Sequence, residues 1–211
     1  MGPLWPIGGN MKRTFDTKAI VITGLLLALE IVLQTIGNYL QFGAANINLS
    51  LIPVVLAAVL CGPISGGILG FFNGIMALLS PSTIAFFMPV SPIGTVLVCL
   101  LKCTLAGVIA GFVFDVFRKI GKNRLSTNIV GYFVASAIVP VVNTGLFAAG
   151  ALIFFQQRLV ESITEKMPDM YSVLIFGFIG INFIIEFFTT LLVTPGIAVV
   201  LYKREEKSSN K

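Results

Sequence analysis

Residues 129–142 read IVGYFVASAIVPVV. The stretch carries no charge, and its apolar and polar residues do not alternate. A membrane β-strand would alternate over roughly ten positions. Lipid leaves backbone polar groups no partner, so only helices and closed barrels cross a bilayer. The stretch therefore reads as part of a transmembrane helix. The composition agrees: the chain of 211 residues is 56% hydrophobic and only 11% charged. A soluble domain carries about 25% charged residues. The fold class is an all-α polytopic membrane protein.

Working outward from this helix gives six spans in one bundle. The first covers about 17–38, and the polar loop GNYLQFGAANINLS follows it. The second is short, about 50–61, and is ended by Cys-Gly-Pro. The third covers 63–80 and stops at Ser-Pro-Ser. The fourth covers 92–118, the fifth 127–157 and the sixth 171–202. About 20 residues cross a bilayer core. The second span falls short of that, unless the segment before it is buried in protein. Pro53, Pro140 and Pro195 are the candidate kink positions in spans two, five and six.

The net charge of +5 comes from basic clusters at span ends, not from a nucleic-acid-binding stripe. Lys12, Arg13 and Lys18 precede span one. Arg118, Lys119, Lys122 and Arg124 follow span four, and Lys203, Arg204, Lys207 and Lys211 follow span six. Cytoplasmic loops carry the excess of Lys and Arg. With six spans the three clusters share one side, and both termini are expected in the cytoplasm. Residues 1–16 are expected to be a disordered segment, with 1–10 a tag or a mis-assigned start before Met11. Residues 17–202 form the transmembrane domain and 203–211 a basic tail.

Several chemistries are excluded. The chain has no histidine, no GxxxxGK[ST] phosphate loop, no HExxH and no GxSxG. No cofactor is called for. Cys61, Cys99 and Cys103 lie in or beside apolar runs and read as buried reduced thiols rather than metal ligands. Gly66, Gly70 and Gly74 on span three, with Gly107 and Gly111 on span four, read as helix-packing faces.

CLLKCTLAGV, residues 99–108, holds Lys102 within span four. Charge inside a span is costly and marks function. Glu30 and Glu186 are the other two such residues, and Gln34, Asn73, Asn143 and Asn182 add amides in the spans. One reading pairs Lys102 with Glu186 or Glu30 and makes the amides interhelical glue. The other, which this excess of polar groups favours, lines a pocket open to the outside. Its candidate residues are Lys102, Asn143, Asn182, Glu186 and Gln34. Asn38, Asn46 and Asn48 join them from the loop after span one.

In combination these features resemble the substrate-binding S-components of energy-coupling factor (ECF) transporters. Span one, AIVITGLLLALEIVL, has Gly24 and Ala28 at the small-xxx-small position where the family usually has AxxxA. INLSLIPVVLAAVLCGPISGGILGFFNGI, residues 47–75, is similar to the family's short helix, Gly-Pro turn and glycine-striped helix. The resemblance covers about 17–202. It implies a non-catalytic subunit in a prokaryotic plasma membrane. Such a subunit captures a vitamin or related micronutrient from outside, beneath a lid made by the loop after span one. It implies partners too: a transmembrane coupling protein docked on Gly24 and Ala28, and two cytoplasmic ATPases. Lys102 suits a carboxylated vitamin such as pantothenate. The alternative is a self-sufficient carrier or channel for a small polar solute.

Overall fold

The computed structural model describes residues 17–39, 41–42, 45–46, 49–121, 125–155 and 181–209. Residues 1–16, Asn48 and the loop between spans five and six lie outside the described residues. The helices are α1 (Thr17–Tyr39), α2 (Leu51–Cys61), α3 (Pro63–Leu78), α4 (Pro81–Phe86), α5 (Pro92–Ile120), α6 (Leu125–Phe154) and α7 (Ile181–Ser209). Between α1 and α2, β1 (Gln41–Phe42) and β2 (Ala45–Asn46) form a minimal antiparallel ladder that sets Gln41 opposite Asn46. The protein is thus all-α, with four helices long and apolar enough to cross a membrane: Ala19–Gly37, Pro92–Ile120, Thr127–Phe154 and Phe183–Val200.

The two short helices explain the architecture. At 1.5 Å per residue, α2 is roughly 16 Å long and α3 roughly 24 Å. The hydrocarbon core is about 30 Å thick. α2 is apolar all round, which marks a helix enclosed by protein. Ten of its eleven residues are buried, and it packs against α1, α3, α5, α6 and α7. Its Pro53 stands in the first turn, where the missing N–H has no intrahelical acceptor to lose. Gly62 then turns the chain at φ 106°, a conformation nearly closed to other residues. Pro63 opens α3 with its pre-set φ.

Among the described residues α3 and α5 form the most extensive helix pair, and the glycine stripe is the reason. A Cβ on Gly66 would come within 2.6 Å of the Gly107 carbonyl oxygen. A Cβ on Gly74 would come within 2.7 Å of the Cys99 carbonyl oxygen, and one on Gly70 would strike the Cys103 carbonyl. Gly111 meets Pro63. The contacts run antiparallel: Gly74 with Cys99, Gly70 with Cys103, Gly66 with Gly107. Residues 99, 103, 107 and 111 thus form one face of α5. That contact fixes the rotation of α5 and turns Lys102, one residue from Cys103, towards α6. The three cysteines are buried, and none forms a disulfide among the described residues.

The remaining core lies where α5, α6 and α7 meet α2. Phe114 stacks on Tyr132 with centroids 4.8 Å apart, and Ala110, Ala135, Val139 and Ala198 close around them. α6 and α7 run on through Pro140 and Pro195. Two features depart from the expected spans. The Ser-Pro-Ser stop after α3 also starts a helix: Ser80 Oγ accepts from the Thr83 N–H, and Pro81 is the first residue of α4. α7 continues in helix through Ser209, although its apolar part ends at Val200.

Ser91 caps α5 by accepting from the Gly94 N–H at 3.2 Å. Ser91→Ala is expected to cost about 1 kcal/mol. A modest drop in the thermal unfolding midpoint in detergent would register it, and no drop would count against the cap.

Candidate functional site

The site is assembled by three long helices. α5 contributes Lys102, half-buried and turned towards α6 by the glycine contact. Lys102 Nζ stands 4.8 Å from the ring centroid of Phe147 on α6. The ring face carries partial negative charge, so this contact favours the ammonium. One turn earlier on α6, Asn143 is 4% exposed. Its Oδ1 accepts from the Cys103 thiol at 3.4 Å. Glu186 of α7, 8% exposed, lies beside the Asn143 side chain and within electrostatic reach of Lys102. Among the described residues, Lys102 closes no ion pair with either acid.

Glu186, Thr190 and Thr194 form the buried stripe of α7. Thr189 and Thr190 donate to carbonyls one turn back, at 2.6 Å and 2.7 Å. These hydroxyls bond within their own helix, and the Glu186 carboxylate turns to α5 and α6. Asn182 lies in the first described turn of α7. An aromatic group that the sequence reading missed sits beside Lys102. Phe87, from the turn after α4, meets Phe147 edge-on at 5.7 Å and Phe155 at 5.0 Å. The signal was present on α6: Asn143, Phe147, Ala151 and Phe155 recur every four residues and share one face.

The other candidate residues fall elsewhere. Gln34 belongs to a second polar cluster, among α1, α2 and α3. Ser50 Oγ donates to Gln34 Oε1 at 2.7 Å, and Asn73 Nδ2 donates to Ser50 Oγ. Asn38 lies in the last turn of α1, and Asn46 lies in the small ladder across from Gln41. Gly24 and Ala28 are exposed on α1, and a Cβ on Gly24 would meet nothing within 4 Å. Among the described residues no helix packs on their close-approach face.

Lys102, Asn143 and Glu186 offer donors and acceptors in a low-dielectric setting beside an aromatic wall. Such a set binds and orients a small polar molecule. No curated protein matches the chain in sequence. The family model described as "ECF transporter, substrate-specific component" matches residues 18–209. The chain therefore belongs to the substrate-specific components of ECF transporters.

Proposed function

We propose that the chain captures a carboxylated vitamin or related micronutrient from the outer side of the membrane, with pantothenate the first compound to try. The outer halves of α5, α6 and α7 form the pocket, and the loop after α1 is its lid. Lys102 receives the ligand carboxylate. Asn143, Asn182 and Glu186 read its polar groups, and Gln34, Asn38, Asn46 and Asn48 serve the lid side. One observation carries this reading: the Lys102 ammonium lies deep in an apolar helix, touches an aromatic face and, among the described residues, closes no ion pair. A cation–π contact stabilises by about 0.5–2 kcal/mol, and taking an ammonium out of water costs several. A ligand anion offsets the difference.

As a substrate-specific component the protein is a transport subunit and not an enzyme. In our reading α1, α2 with the segment before it, α3, α5, α6 and α7 make six spans with both termini in the cytoplasm. The open face at Gly24 and Ala28 docks on a transmembrane coupling protein, and two cytoplasmic ATPases drive uptake. Liposomes discriminate this from a self-sufficient carrier. The chain alone should bind substrate without accumulating it, and uptake should require the coupling module and ATP. Uptake by the chain alone would establish the carrier instead. Gly24→Leu with Ala28→Leu should leave binding unchanged and reduce ATP-driven uptake to background. Normal uptake by that variant would remove α1 as the docking face.

A further inference from the structure

The loop after α1 returns to the bundle through Ser50, the residue just before α2. A serine at this position usually caps the helix by accepting from an N–H of the first turn. Ser50 does not. Its side chain makes no cap bond, and its backbone is already helical, at φ −70° and ψ −13°. Ser50 is 0% exposed, and its hydroxyl is used between helices instead. Ser50 Oγ donates to Gln34 Oε1 of α1 at 2.7 Å and accepts from Asn73 Nδ2 of α3. A hydroxyl has one proton to give, and here it goes to α1. Gln34 and Asn73 are buried too, and all three groups are neutral.

These bonds join the loop to the part of the bundle that carries Lys102. Asn73 precedes Gly74, whose missing side chain lets α3 meet the Cys99 carbonyl of α5. One turn back, Gly70 meets the Cys103 carbonyl. Cys99 and Cys103 flank Lys102 along α5. Ser50 is thus held, through Asn73, at a fixed place relative to Lys102. The other end of the loop leaves α1 after Tyr39, and Gln34 lies in the last two turns of that helix. One hydroxyl therefore ties the exit of the loop to its entry. Between them β1 pairs with β2, and β2 lies against α7, the helix that carries Glu186. A two-stranded ladder is marginally stable at best on its own, so its place on α7 depends on where its ends are held.

Given that the loop after α1 is the lid of the α5–α7 site, as read above, we propose that Ser50 is the positioning residue of that lid. It acts through the lid and not on the substrate. It pins the root of the lid to α1 and α3, so β1 and β2 are already placed when substrate arrives. Less ordering entropy is then lost on closure. Without the hydroxyl, Gln34 and Asn73 lose a buried partner. The root is then free to leave them, while the glycine contact of α3 with α5 stays intact.

Hydrogen–deuterium exchange read by mass spectrometry, on the detergent-purified full chain with no added compound, tests the anchor by itself. In Ser50→Ala the amides of β1 and β2 should exchange roughly tenfold faster, as loss of about 1.4 kcal/mol from a local opening requires. Those of α5 and α6 should exchange as in the wild type. Unchanged exchange in β1 and β2 would overturn the proposal. So would a rise shared by α5 and α6, because Ser50 would then serve the bundle as a whole. Gln34→Met removes the acceptor of the same bond and should act in the same direction, which decides the matter if Ser50→Ala does not fold. The double variant should exchange like Ser50→Ala alone, and additive effects would overturn the link between the two residues. In stopped-flow binding with pantothenate, Ser50→Ala should release the compound roughly tenfold faster while associating within about threefold of the wild-type rate. Slower association with unchanged release would overturn the lid role. A wild type that binds no pantothenate would overturn the substrate proposed above, and the exchange result would still support or overturn the anchor.

Discussion

Lys102→Met is expected to bind substrate roughly 30- to 5,000-fold more weakly than the wild type while inserting and purifying normally. The range follows from removing one partner of a desolvated charge pair, which costs about 2–5 kcal/mol. Methionine keeps the length and apolar stem of lysine, so packing beside Phe147 survives and only the ammonium is lost. Folding should be insensitive, because among the described residues the ammonium closes no ion pair. Titration calorimetry, begun with pantothenate and a panel of carboxylated vitamins, reads the effect. Unchanged affinity in Lys102→Met would show that the lysine does not meet the ligand. A loss of folding would show that the lysine serves the bundle instead.

Gly70→Leu should abolish the folded protein. A Cβ there would strike the Cys103 carbonyl and lie within 2.9 Å of Thr104 Cα, both backbone groups of α5. No side-chain rotation relieves such a contact, so the two helices must separate. Overpacking of this kind costs about 3 kcal/mol or more, and here it opens the most extensive helix interface among the described residues. The expected readout is loss of the monodisperse peak in size-exclusion chromatography. Gly24→Leu is the internal control: space around Gly24 is open, so that variant should elute and melt as the wild type does. Equal behaviour of the two would contradict the assignment of the stripe on α3 to packing within the chain and the face on α1 to its exterior.

The helix limits were legible where they are chemical. Gly62 and Pro63 end one helix and begin another, and Ser91-Pro92 opens the next. α4 escaped because Ser80-Pro81 was read only as a stop, although Ser-Pro is also a helix-start signal. Which way each helix faces was far less legible. In lipid the outer surface is as apolar as the core, so hydrophobic periodicity does not separate them. On α5, Leu97, Leu101 and Leu105 are exposed and Val98 is buried, with nothing in their polarity to tell them apart. Small residues carried that information instead. The glycines of α3 matched to Cys99, Cys103 and Gly107 fix α5, and through it the direction of Lys102.

The candidate residues divided for the same reason. Lys102, Asn143 and Glu186 were chosen for polarity alone, and α5, α6 and α7 bring them together. Gln34 has the same polarity, yet its hydrogen bond goes to Ser50, a residue that no sequence pattern marks out. Phe87 enters from a turn, and no spacing within a helix could have predicted its place against Phe147.

The most direct test of the central claim is native mass spectrometry on the protein purified in mild detergent from cells grown in rich medium. The account predicts one small anionic compound bound one-to-one in the wild type and absent from Lys102→Met. A preparation with no adduct, and with no thermal stabilisation by any member of a vitamin panel, would contradict it.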